Sequence, residues 1–349
     1  MMAVDPSYQL LACRYLREQL DILRSELRGV RLNEDIEPVH QARVASRRIR
    51  AALRMFCDCF EPRKLARWER QVKKLTRELG TARDKDVQIQ FIVEFLSQLD
   101  EKDKTHRPGI ERLVLRLRQN RMALQPEVIG VLDKLNRRNT LAEMYGRLEE
   151  TLFAMGEHDT GVCSPYVHKM AASHIATRRK EVTACEPSLD DPQDIHGHHL
   201  LRIAAKKLRY TLEICDPAYE GRLADVIKIV KQAQAFLGDI HDCDVWVQDI
   251  DKLLEEERLA TIEYYGQSRP FNRLRPGLLF VRAERLSHRR QVFDELIEYW
   301  RRSDAKDLWE ALEGILQSHG GATDLPCEEL KDRGIDVEEM QDRTDCAGQ

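Results

Sequence analysis

The sequence predicts an all-α protein built as two similar helical bundles, and three observations lead there. Apolar residues recur at three- and four-residue spacing along most of the chain, and no segment shows the period of two that a half-buried strand needs. The segment His40–Arg54 holds five arginines, one histidine and no acid, and it returns at His199–Arg209. There His40, Arg43, Arg47, Arg48 and Arg50 correspond to His199, Arg202, Lys206, Lys207 and Arg209 at an offset of 159. The third observation is Leu79-Gly80-Thr81-Ala82-Arg83-Asp84-Lys85-Asp86-Val87, matched 158 positions later by Leu237-Gly238-Asp239-Ile240-His241-Asp242-Cys243-Asp244-Val245. Two different motifs at nearly one offset mark an internal duplication, longer than the roughly 20–50 residues of a solenoid unit. Each copy is long enough for a bundle of helices.

Residues 7–29 place Leu10, Leu11, Leu16, Leu20, Leu23 and Leu27 at helical spacing, and Gly29 stops them. Pro38 suits the start of the basic helix, which runs to about residue 59, where Glu61-Pro62 breaks it. Residues 64–79 form a third helix with Leu65, Trp68, Val72, Leu75 and Leu79 inward, and Gly80 is expected to cap it. Thr81 or Asp84 would then cap a helix running to residue 99. Arg107-Pro108-Gly109 reads as a turn, followed by helices over 110–124 and 126–155.

The first repeat thus spans 7–156, and 157–165 is a linker. The second repeat, 166–319, follows the same course. A helix over 166–182, a loop over 186–193 and the second basic helix to residue 215 come first. Then come a helix ended by Gly238, another over 239–257, a break at 269–276, and helices over 278–302 and 305–319. The tail, 320–349, is aperiodic and expected to be disordered. From Gly321 onward it carries nine acids against three bases, a net of −6.

The chain's overall charge of −4 therefore hides segregation, with cations gathered in the two stripes. Nine cysteines, an odd number without a CxxC pair, are expected to be reduced thiols of an intracellular protein. No apolar run of membrane-spanning length occurs, and residues 1–9 lack the apolar core of a signal peptide. The expectation is a cytoplasmic protein with no membrane partner.

At 100° per residue, His40, Arg43, Arg47, Arg50 and Arg54 share one side of their helix. Val44, Ala45, Ile49, Ala52, Leu53 and Phe56 lie mostly opposite, where they can face a core. Like charges one turn apart repel, so an acid-free stripe calls for a counter-anion. Ordinary solvated faces mix signs. Arginine suits phosphate because its planar fork makes two charge-assisted bonds at once.

These motifs resemble the CHAD family, the conserved histidine α-helical domain. Each half shows the family's His-x-x-Arg helix with its basic continuation, then the Leu-Gly-x-x-Arg/His-Asp-x-Asp-Val segment, and the likeness extends over about residues 8–319. The resemblance implies two antiparallel four-helix bundles with pseudo-twofold symmetry and a basic central cleft or pore. It also implies binding of inorganic polyphosphate and association with polyphosphate granules. Some relatives are fused to a triphosphatase with a Glu-x-Glu-x-Lys strand, and no such motif occurs here.

Polyphosphate contacts are therefore expected from His40, Arg43, Arg47, Arg48, Arg50, Arg54, His199, Arg202, Lys206, Lys207 and Arg209. Arg70 and Lys73 match Lys228 and Lys231 and would extend that surface. Arg83 and His241 are expected at matched helix starts, where free amides favour anions. Asp84, Asp86, Asp242 and Asp244 are expected to cap helices and hold the cations in place, and Tyr210 to orient them. No metal site, cofactor or catalytic constellation is expected. Two other functions compete with polyphosphate binding. One is a metal-dependent phosphohydrolase using His241, Asp242 and Asp84. The other is nucleic-acid binding, disfavoured by the scarcity of aromatics for base stacking on the basic helices.

Overall fold

In the computed structural model, residues 4–156, 161–302 and 305–318 are described, and they form ten α-helices and no strand. Residues 319–349, and with them the tail, lie outside the described residues. Helix α1 spans Pro6–Leu32 and starts where the Asp5 carboxylate accepts a bond from the Tyr8 amide at 3.0 Å. It runs through Gly29 and ends at Asn33, whose φ of 54° is left-handed. Helix α2, Glu37–Met55, carries the first basic stripe, and Pro62 begins α3, Pro62–Ser97. Helices α4, Arg107–Arg137, and α5, Thr140–Met155, complete the first half.

The second half opens with α6, Pro165–Cys185, capped by Ser164. Helix α7, Ile195–Cys215, carries the second stripe and is capped by Asp194, which accepts from the Gly197 amide at 2.8 Å. Helices α8, Ala224–Tyr265, α9, Arg275–Arg302, and α10, Ala305–Gln317, follow.

Gly80 and Gly238 do not end helices. Helix α3 runs unbroken through Gly80, and α8 through Gly238. Buried neighbours on both sides, Leu79 and Ala82 in one case and Leu237 and Ile240 in the other, hold the chain helical. A side-chain carbon would fit at either glycine in ordinary contact. A Cβ on Gly80 would stand 3.6 Å from Arg43 Nε, and one on Gly238 would stand 3.9 Å from Arg202 Nε. Consequently Asp84, Asp86, Asp242 and Asp244 are not caps, and Arg83 and His241 are not at helix starts. All six sit in mid-helix, where the amides are already bonded. Pro126 likewise fails to break α4, which continues because Val128, Leu132 and Leu135 bury beyond it. The break falls instead at Asn139, φ 53°. Six expected segments of the first half are thus five helices.

Two separate cores position the site. The larger gathers α1, α2, α5, α6, α7 and α10 around the N-terminal parts of α3 and α8 and the C-terminal parts of α4 and α9. The smaller joins Ile92, Ile110, Leu113 and Leu117 of α3 and α4 to Trp246, Ile250, Leu278 and Val281 of α8 and α9. At that end the backbones of α4 and α9 touch. A Cβ on Gly109 would meet the Leu274 carbonyl and stand 2.9 Å from Gly277 Cα. Along α3 the step from one core to the other runs from Ala82 to Ile92, and along α8 from Ile240 to Trp246. The charged motif lies in these steps.

Candidate anion-binding site

Helices α2 and α7 pack against each other and bring the two stripes together. Their C-terminal ends are largely neutralised from within. Arg48 Nη2 donates to Glu213 Oε2 at 3.0 Å across the helix pair, and Arg209 Nε lies 3.5 Å from the same carboxylate. The Arg209 guanidinium also lies 4.9 Å from the Tyr210 ring centroid. Arg54 Nε donates to Glu69 on α3 at 2.8 Å, and Lys207 Nζ lies 3.7 Å from Glu181 on α6. These four cations already have acids beside them.

The N-terminal ends are different. Arg43, its side chain 16% exposed, reaches one acid, Asp84, at 3.4 Å. Burial and then the charge of Arg47 pull its pKa down to about 10; Asp84 opposes this and Arg202 on α7 adds to it. Arg43 still keeps its proton near neutral pH, so the site holds crowded positive charge. Arg47 has no carboxylate within ion-pair distance among the described residues. Arg43 Nε and Arg83 Nη1 are buried without an acceptor. A buried donor left unbonded costs about 1–3 kcal/mol, so both favour an incoming oxygen.

The two histidines that open the stripes each look toward the long helix beside them. Burial first, then Arg83 of α3 and Arg43, lower the His40 pKa, while Glu37 opposes. His40 is therefore mostly neutral near pH 7. The His199 ring lies 4.7 Å from that of His241 on α8. Neighbouring His198 turns the other way and is buried against the Ser188 carbonyl at 3.0 Å.

Two of the motif acids serve structure. Asp86 accepts from Arg121 Nε of α4 at 2.7 Å, and Asp244 accepts from Arg289 Nε of α9 at 2.5 Å, all four side chains buried. Burial raises the Asp86 pKa even so, against the pull of Arg121. Asp242 is exposed, as are Arg70, Lys228 and Lys231 on the outer faces of α3 and α8. Lys73, Arg50 and Lys206 are partly buried. A polar seam joins α3 to α8 below the stripes, where Lys85 Nζ and Gln88 Nε2 each donate to Asp249 at 3.0 Å.

Arg121 and Arg289 hold the motif acids in place, although neither lies in a stripe or a motif. A signal was present: they lie 168 positions apart, as do the identical tripeptides Arg107-Pro108-Gly109 and Arg275-Pro276-Gly277. A surface groove of about 600 Å³ beside α9 is lined by none of the stripe cations.

The family description "CHAD domain" matches residues 14–251. No curated protein matches the chain. Among solved structures, the CHAD domain from the plant Ricinus communis superposes with a TM-score of 0.61 at 20% identity, covering 86% of this chain and 93% of that one. PptA from Streptomyces chartreusis superposes with a TM-score of 0.55 at 14% identity, covering 83% and 99% respectively.

Proposed function

Since the chain belongs to the CHAD domain family, shown by the match over residues 14–251, we propose that it binds inorganic polyphosphate through the facing stripes of α2 and α7. One observation carries the reading: Arg43, Arg47 and Arg202 come from two separate helices into mutual electrostatic reach, and the charges of Arg47 and Arg202 both lower the Arg43 pKa. Such crowding is unfavourable to the bare protein and is relieved by a polyanion. A phosphate chain entering there gains the buried donors of Arg43 and Arg83 and passes His40, which can take up a proton as the anion approaches.

In this reading the two halves are repeats related by a pseudo-twofold axis, with α1–α4 and α6–α9 as four-helix bundles and α5 and α10 closing them. Paired features support it: Gly80 against Arg43 and Gly238 against Arg202, Asp86 with Arg121 and Asp244 with Arg289. The protein acts as a binder rather than a catalyst, in the cytoplasm at polyphosphate granules. Among the described residues no helix is long and apolar enough to cross a membrane.

The test is charge reversal at Arg47 together with Lys206. Retention on immobilised polyphosphate is expected to be lost while the far-UV circular dichroism and melting temperature stay unchanged. Full retention by the folded double variant refutes the site. Phosphate release from polyphosphate with Mg²⁺ or Mn²⁺, abolished by Asp242→Ala, would instead establish a phosphohydrolase. RNA that competes on equal terms at moderate salt would redirect the reading to nucleic acid.

A further inference from the structure

We propose that Asp239, Cys243 and His288 form a site for one divalent cation of the zinc class, which pins α8 to α9. Asp239 and Cys243 stand four residues apart on one face of α8, and His288 faces them from α9. One ligand atom from each lies within 4.8 Å of the other two. His288 Nε2 is 3.0 Å from Asp239 Oδ2. Two ligands on a tetrahedral zinc ion with bonds of about 2.0–2.1 Å sit about 3.3 Å apart, so this pair is already close to the spacing the ion needs.

The donor set selects the metal. Sulfur, imidazole nitrogen and carboxylate oxygen together suit zinc, whereas magnesium and calcium take oxygen ligands. The charges close as well. On ligation Cys243 gives its proton to solvent, and one thiolate plus one carboxylate balance the dication, with no change of oxidation state. The surrounding ions are already matched: Arg285 with Glu284 at 2.5 and 2.7 Å, and Arg289 with Asp244 at 2.5 Å. Asp239, its side chain 46% exposed, gives the ion a way in, while Cys243 is buried behind it. Water completes the coordination.

The site belongs to the second half alone. The corresponding positions of the first motif are Thr81 and Lys85, and Lys85 is bonded to Asp249. It uses none of the residues assigned to polyphosphate, and its failure would leave that reading untouched.

The experiment uses the reduced, chelator-stripped full chain, titrated with Zn²⁺ against a chromophoric chelator. One tight equivalent is expected in the wild type and is lost in Cys243→Ser and in His288→Ala. With Co²⁺ as the probe, a thiolate-to-metal charge-transfer band should appear, vanish in Cys243→Ser and persist when the exposed Cys163 is changed to Ser. His288 is partly exposed, so His288→Ala should stay folded and retain polyphosphate as the wild type does. Absence of a saturable equivalent in the wild type overturns the proposal, as does an equivalent that survives both substitutions.

Discussion

Tyr8 has one hydroxyl proton to give, and the Met55 carbonyl takes it at 3.0 Å. The second bond at that oxygen, to His174 Nε2 at 3.2 Å, must therefore be donated by the imidazole. This fixes the neutral Nε2–H tautomer and ties α1 and α2 to α6. Burial, then Arg178, pulls the His174 pKa down to about 4. Because the folded value lies below the unfolded one, the unfolded state takes up the proton first as pH falls. The stability this residue supplies is complete above about pH 6.5 and is lost progressively as pH drops toward 4, by at most about 3 kcal/mol. Urea denaturation across that window should show the loss, and His174→Gln should flatten it. A slope unchanged in the variant would assign the loss to other groups. Nothing in the sequence singles out His174, because Tyr8, whose hydroxyl it meets, lies 166 positions away.

At the scale of elements, the basic helices and their inner faces were legible because charge and periodicity are local properties. The helix boundaries at Gly80, Gly238 and Pro126 were not. The local signal at each is a stop, and it is overridden by apolar residues that bury on both sides of it. The roles of the motif aspartates were hidden for a related reason. Asp86 and Asp244 pair with arginines 35 and 45 residues away, on the next long helix. Gly109 gives this level its sharpest test, since any side chain there must force α4 away from α9. Gly109→Ala is expected to cost about 3 kcal/mol or more, the range for severe overpacking and strain, and so to lower the melting temperature by several degrees. Gly80→Ala, with ordinary contact space beside Arg43, should instead be neutral or stabilise by up to about 1 kcal/mol. Equal effects at the two glycines would contradict the helix crossing described for Gly109 and Gly277.

For the whole molecule, a net charge of −4 conceals the proposed cationic seam between α2 and α7. Binding of a flexible polyanion there should release counterions. With about four to six phosphates engaged, log affinity should fall with log salt at a slope of roughly −3 to −4, by analogy with single-stranded nucleic acid. Titration of fluorescently labelled polyphosphate over a salt series measures this slope, and a flat response would exclude the electrostatic trough. The paired motifs were readable in the chain, but which stripe cations lie beside internal acids was not. That division depends on Glu213, Glu69 and Glu181, which approach from three different helices.

The smaller core has a consequence for how the protein is born. Ile92, Ile110, Leu113 and Leu117 emerge from the ribosome long before Leu278 and Val281, the residues that cover them. At about 5–20 residues per second, that apolar surface stays open for roughly 10–30 s of synthesis. A nascent chain in that interval presents a sticky, half-finished end. Chaperone capture, or mispairing between neighbouring chains on one polysome, would concentrate at α3 and α4 rather than at the basic helices.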